Sequence, residues 1–362
     1  MLEYLYYTSV YFLLVFLISL FHATNPQNEK RFVVLSFFLL FIFAAISYDV
    51  GWDYLPYYNS MTMDMTYERY ELLEYYLSLL SIKLNFPQLF FIINHFVITM
   101  CISSSIYHSS KNVYISFIVF LCFPLFYLGG FSTIRFSAGV SIVLFGYVFF
   151  LKERKPLRFL LSLIIAYNCH ASMLVALIIF PLYYLRFSKW SNVLLLIASF
   201  VFSKVFIGFI ASGSQFLSEA IEYRLQWYMD SGGDIGGQSV IHYFFLALNI
   251  FNLIVYDKLR QEDEETTKFI TLFNLGCCMA ILFGQNQVLM SRSSRMFYLY
   301  IIFIIPYYEK VFVKLSPKSI NNIIVILSFF LFAYQLAIPN YNGTDTNRVS
   351  TYWPYQVFFL HK

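Results

Sequence analysis

The sequence predicts an all-α, polytopic integral membrane protein, and three observations carry that prediction. Of its 362 residues, 59% are hydrophobic and 12% charged, whereas a soluble protein would carry roughly a quarter charged residues. Apolar runs of about 16 to 22 residues recur from end to end, each suited to a helix crossing the hydrocarbon core of a bilayer. Lysine and arginine gather in the short connections between those runs, and mean hydropathy is +0.65. About twelve spans follow, near 4–22, 32–48, 87–108, 113–128, 136–151, 157–169, 171–186, 190–211, 239–257, 268–286, 296–313 and 319–336. The first run, Tyr4 to Phe21, has no basic residue before it and no small-residue cleavage site after it. It reads as a retained span rather than a signal peptide. Residues 1–362 are then expected to form one integral membrane domain.

The stretch 157–186 can be one long helix or a hairpin that breaks at Asn168-Cys169-His170, and charge decides between them. A hairpin places fifteen of the 24 Lys and Arg residues on one side, from Lys30 and Arg31 through Lys152–Arg158 to Lys318. That is the bias expected of a cytoplasmic face. A single helix would put Lys258, Arg260, Lys310, Lys314 and Lys318 outside. The hairpin is therefore expected, with both termini outside and extracytoplasmic loops at 47–86 and 211–238. Basic residues on that outer face are mostly arginine: Arg69, Arg135, Arg224, Arg292, Arg295 and Arg348. Arginine binds phosphate in a bidentate fashion, whereas lysine is a point charge suited to a topology signal.

Several function classes are excluded. A net charge of +4 is too small for a nucleic-acid partner. Cys101, Cys122, Cys169, Cys277 and Cys278 lie in or beside apolar runs without metal or disulfide spacing, so they read as packing residues and no metal or cofactor is expected. No inverted repeat is visible, and Lys204, near a helix end, reads as a snorkelling residue; both count against a secondary transporter.

Two outer loops carry amphipathic segments. Gly51 and Pro56 bracket a turn that presents Asp53 among Tyr48, Tyr54 and Tyr57. Beyond it, Glu71 and Glu74 share one helix face and Leu72, Leu73, Tyr76 and Leu80 another, the pattern of a helix lying along the outer surface. Ser214 to Asp230, with Glu219, Glu222 and Arg224, is expected to form a second such helix. It is closed by the glycine-rich stretch 231–237, which fits a flexible lid but not a phosphate-binding loop, since no strand precedes it and no Lys-Ser/Thr follows.

Three short outer connections bring a basic residue to the start of a descending helix: Arg135 before 136–151, His170 before 171–186, and Arg292 with Arg295 before 296–313. A cation there opposes the helix dipole at a cost of about 0.3–1 kcal/mol. Repeated three times, the arrangement points to an anion among them, held by free backbone N–H groups and charge-assisted bonds. The alternative is that each arginine satisfies lipid headgroups or frayed carbonyls. Beside a phosphate, His170 becomes a proton-transfer group or an oxyanion donor, and Asp53 a general base or a ligand for sugar hydroxyls.

Gly51-x-Asp53-Tyr54-x-x-Tyr57, Tyr70-Glu71, Gly130 with Arg135-x-x-Ala138, the basic run Lys152 to Arg158, His170-Ala171-Ser172 and Ser294-Arg295 with Tyr298 occur in that order. In these pieces the chain resembles the EpsG-like branch of the Wzy polysaccharide polymerases. Family members often have Gln after the first arginine; here Phe136 stands in that place. The resemblance implies a metal-independent, GT-C-like membrane glycosyltransferase acting outside the inner membrane of a bacterium. Such an enzyme moves a growing glycan from undecaprenyl pyrophosphate to the non-reducing end of a new lipid-linked repeat unit. The reading of the residues fits that chemistry: Arg135, Arg292 and Arg295 are expected on the pyrophosphate, His170 first and Asp53 second at the acceptor hydroxyl, and Asp53, Tyr54, Tyr57 and Glu71 near the sugar. Membrane lipids, a flippase and a chain-length regulator are the implied partners. An O-antigen ligase would use the same donor, and a lipid-linked oligosaccharide flippase or permease is the alternative from another class. A permease calls for a charged cavity through the membrane, whereas these arginines gather at one face.

Overall fold

Apolar runs become helices where capping residues satisfy the first backbone donors and prolines interrupt the ladder. The computed structural model describes residues 2–65, 70–214, 240–337, 351–352 and 354–360. In it, α1 (Leu2–Thr24) is followed by α2 (Glu29–Ala45), whose first turn is capped by the Asn28 side chain accepting from the Arg31 N–H at 2.9 Å. After β1 (Ser47–Tyr48) come α3 (Tyr54–Thr62), α4 (Leu72–Lys83) and α5 (Gln88–Ser109). Asn112 caps α6 (Val113–Cys122). That helix stops short of the expected 128 because Pro124 has no N–H and leaves Phe123 extended. A short α7 (Gly129–Ser132) leads into α8 (Ile134–Gly146), continued by a π turn over Tyr147–Leu151, and Pro156 opens α9 (Pro156–Cys169).

The chain breaks at the expected place. His170 is extended (φ −158°, ψ 124°), and a 3-10 helix over Ala171–Ile178 leads into α10 (Ile179–Tyr184). Then follow α11 (Lys189–Ser214), α12 (Val240–Ile254), α13 (Tyr256–Glu262), α14 (Glu264–Leu282), α15 (Gln287–Tyr298), α16 (Ile301–Ile304), α17 (Tyr308–Val311) and α18 (Pro317–Ala337). Helical structure stands in each of the twelve predicted segments. Among the described residues, five stretches are long and apolar enough to cross a membrane alone: Gln88–Ser109, Ile134–Leu151, Lys189–Phe206, Gln287–Val311 and Pro317–Ala337. A sixth is added if α12 and α13, bent by 68°, form one span. The molecule is an all-α polytopic membrane protein; its one small sheet among the described residues pairs β1 with β2 (Gln356–Val357).

The chain divides into two compact units. One comprises Met1–Leu177 with Ser316–Lys362, the other Ile178–Leu315. In the first unit the C-terminal segment runs antiparallel to β1, Ser47 opposite Val357 and Tyr48 opposite Gln356. Tyr355 donates to the Phe43 carbonyl at 2.5 Å, Tyr11 to that of Tyr352, and the Gly51 N–H to that of Thr351 at 3.0 Å. The same unit holds α4, whose orientation is informative. Leu72 and Tyr76 are 60% and 62% exposed, whereas Glu74, Leu77, Ser78 and Ser81 are buried. This helix turns its apolar side outward, as suits a lipid-facing surface, and its carboxylate inward.

The second unit is held by a buried amide network across α11, α12 and α14. Asn249 donates to Asn274 at 2.7 Å, Asn274 donates to the Asn192 carbonyl at 3.0 Å, and Asn192 donates to Thr271 at 3.2 Å. In an apolar surrounding, deleting one member strands the others. Asn274→Ala is expected to destabilise the protein by about 2 kcal/mol, read as a lower thermal midpoint in detergent; an unchanged midpoint would remove the network from the structural account. The basic residues Arg69, Arg224 and Arg348, the expected helix at 215–230 and the glycine-rich stretch 231–237 lie outside the described residues.

Candidate functional site

Gln88, the first residue of α5, fixes the entrance to the site. Its amide donates to the carbonyls of Ala45 and Ser47 at 2.8 and 3.0 Å and its oxygen accepts from the Tyr54 hydroxyl at 2.5 Å. The ends of α2, β1 and α3 are thereby tied to one side chain. Gly51 has φ +86°, and a Cβ there would lie 2.2 Å from the Phe131 carbonyl oxygen. The first loop therefore rests backbone to backbone on the turn that leads into α8, a contact only glycine permits.

Arg135, in the first turn of α8, is 9% exposed. Its Nη1 donates to Glu71 Oε2 at 2.7 Å and its Nε to the Tyr57 hydroxyl at 3.1 Å. The guanidinium carbon lies 5.3 Å from the Tyr57 ring centre and 5.0 Å from that of Tyr70. Two aromatic faces and a carboxylate thus hold the cation. The short connection before Arg135 offers no acid; the partner comes from the residue that precedes α4. Glu71 completes the arrangement, since its Oε1 accepts from the Ala171 N–H at 3.0 Å. An anion does stand between a guanidinium and the backbone N–H that opens the next helix, and it is the protein's own carboxylate.

His170 is buried beside this pair. Its Nδ1 accepts from the Ser172 N–H at 3.2 Å, so the neutral ring carries its proton on Nε2. In that tautomer the Nε2–H of His170 is a hydrogen-bond donor. Phe136, in the position where glutamine is frequent, meets the His170 ring edge-on at 5.6 Å and helps to fix its plane.

Glu74 lies one turn into α4 with no exposed surface. Asn94 of α5 donates to its Oε2 at 3.1 Å, and the Cys169 thiol is a second, weak donor. Burial pushes this carboxyl up to about 7; the Asn94 amide and Arg135 oppose the shift, and Glu71 adds to it. The Tyr70 hydroxyl is likewise held above its ordinary range by burial and by Tyr57.

The other sequence-derived residues fall in different settings. Asp53 precedes α3, half-buried, one turn before Tyr57. Tyr54 is buried, stacked on Phe91 at 4.2 Å with its hydroxyl on Gln88, so it packs the core around the site. Arg292 and Arg295 belong to the second unit. They do not precede a helix: Asn286 caps α15 by accepting from the Leu289 N–H at 2.9 Å, which starts the helix at Gln287. Arg295 therefore sits in the last turn of α15, where the dipole favours a cation, and the dipole argument does not apply to these two. Arg295 is buried, and its charge acts on His242 of α12, whose Nδ1 lies 3.0 Å from the Tyr298 hydroxyl. Sequence reasoning passed over Asn94 and His242, and gave Glu74 only a place on the polar face of a surface helix. A signal existed for Asn94, a polar residue well inside an apolar run.

A model of the EpsG family matches residues 30–357. No curated protein and no solved structure matches the chain.

Proposed function

The chain belongs to the EpsG family, and from that premise we propose how this membrane polysaccharide polymerase works. The donor is a growing glycan on undecaprenyl pyrophosphate, and the acceptor is the non-reducing end of a new lipid-linked repeat unit. A hydroxyl of the acceptor forms a bond to the donor's anomeric carbon, the bond from that carbon to the diphosphate oxygen breaks, and the lipid diphosphate leaves as an anion. The acceptor's proton passes to a base. Reaction takes place at the extracytoplasmic face of the inner membrane, in keeping with the Lys and Arg distribution.

One observation carries this reading. Tyr57, Tyr70-Glu71, Arg135 and His170-Ala171, from four separate stretches of sequence, converge on one buried arginine–carboxylate pair. Departure of a diphosphate needs positive charge placed in advance where negative charge builds. Arg135, its plane fixed by Glu71 and Tyr57, supplies that charge, and the Nε2–H of His170 is the donor best suited to an oxyanion beside it. For the acceptor hydroxyl we assign Asp53, one turn along α3 from Tyr57. Arg292 and Arg295, in the second unit, keep the pyrophosphate-binding role that the sequence reading gives them.

Purified protein in lipid vesicles, given synthetic undecaprenyl-diphosphate-linked repeat units, is expected to yield a ladder of lengthened glycans on gels. A single transfer to a lipid A core acceptor without lengthening would identify a ligase, and translocation without bond formation a flippase. In the same assay Arg292→Ala is expected to lower polymer yield by roughly 10²-fold or more, the effect of removing one preorganised donor from a developing anion. Unchanged ladders would withdraw the diphosphate-binding role from Arg292.

A further inference from the structure

We propose that Glu74 is a positioning residue that sets the charge of the Arg135 site: protonated, it lets Arg135 hold an anionic ligand, and ionised, it repels that ligand. The inference rests on the diphosphate reading above. Among the described residues, one cation, Arg135, faces two carboxylates. Glu71 takes the direct ion pair and the Ala171 N–H. Glu74 has the Asn94 amide on Oε2 and the weak thiol donor of Cys169, but no charged partner in direct contact and no exposed surface. Were both carboxylates ionised, the cluster would carry a net negative charge and a diphosphate would gain nothing by approaching it. Glu74 is the less compensated of the two and therefore the one that holds a proton.

The groups facing Glu74 are Asn94 from α5, Arg135 from α8, Cys169 from the end of α9, and Tyr70 with Glu71 from the segment before α4. Helix α3 contributes no charged residue. Burial sets the midpoint near 7, so the charge of the cluster changes across the pH range in which a membrane enzyme works. A diphosphate bound nearby favours the proton on Glu74, so donor binding and proton uptake are linked.

The test is the donor's KM between pH 6 and 8, with kcat recorded separately, for the full-length protein in vesicles. Wild type is expected to lose affinity as pH rises, by roughly tenfold across the range, for one unit charge appearing close to the ligand. Glu74→Gln, which mimics the protonated form, is expected to lose that slope and to keep the low KM at pH 8. A Glu74→Gln enzyme with the wild-type slope, or with weak donor binding at every pH, overturns the inference. Asn94→Ala removes the amide that favours the ionised form and is expected to move the midpoint to higher pH. An unmoved midpoint in that variant overturns the inference even where Glu74→Gln fails to accumulate. Arg135→Lys separates the two levels: normal donor binding by that variant at pH 6 defeats the diphosphate reading itself. Loss of donor binding there, together with an unaltered slope in Glu74→Gln, defeats only the role given to Glu74.

Discussion

Replacing Arg135 with alanine is expected to abolish polymer and to lower the stability of the folded protein by about 3–5 kcal/mol, the cost of stranding one partner of a buried ion pair. Glu71 would lose its cation while Glu74 stands close by. Part of any lost activity would then reflect lost protein, so the charge-preserving Arg135→Lys is the sharper variant. Lysine is a point charge and cannot reproduce the planar fork that joins Glu71 and Tyr57 between two aromatic rings. That variant is expected to accumulate in the membrane and make no ladder. The stability component has its own check. The double variant Glu71→Ala with Arg135→Ala is expected to unfold at a higher temperature than Arg135→Ala alone, since no unpaired carboxylate remains at position 71. Strictly additive losses would mean that the pair does not couple.

Gly51→Ala is expected to be nearly as damaging although it touches no charged group. The added methyl would meet the Phe131 carbonyl oxygen at 2.2 Å, its carbon at 2.3 Å and the Ser132 nitrogen at 2.8 Å. All are backbone atoms, so nothing can rotate aside. The left-handed φ adds its own strain. A loss of at least ~3 kcal/mol is expected, read as reduced accumulation of monodisperse protein and, in what remains, reduced activity, because the turn being pushed leads directly to Arg135. Gly130→Ala is the control: its nearest neighbour would be the Ile98 side chain at 3.9 Å, an ordinary contact. Wild-type behaviour of Gly51→Ala would show that the first loop does not rest on this turn.

Hydropathy and charge pattern made the helical segments legible, because each span must satisfy its own backbone in lipid. The break at His170 was legible from Lys and Arg distribution. The first loop's glycine, Arg135 and His170 could be picked out because each is costly where it stands. What the sequence hid was pairing over distance. Glu71 and Arg135 are 64 residues apart, and no local rule joins them. Glu74 was read with the polar face of an amphipathic helix, but α4 leaves Leu72 and Tyr76 exposed and turns its carboxylate inward. Arg292 and Arg295 were placed before a helix because the stretch from Gln285 to Arg295 has few apolar residues. Asn286 caps a helix there all the same, and Ser293, Ser294 and Arg295 are buried rather than displayed.

The most direct measurement of the central claim, that Arg135 receives the departing lipid diphosphate, follows two products of one reaction. Purified wild-type protein and Arg135→Lys, in equal folded amounts, are given synthetic undecaprenyl-diphosphate-linked repeat units, and free undecaprenyl diphosphate and glycan length are measured together. Wild type is expected to release one lipid diphosphate for each glycosidic bond and to build a ladder, and Arg135→Lys to do neither. Ladders of wild-type length and yield from Arg135→Lys would contradict the claim.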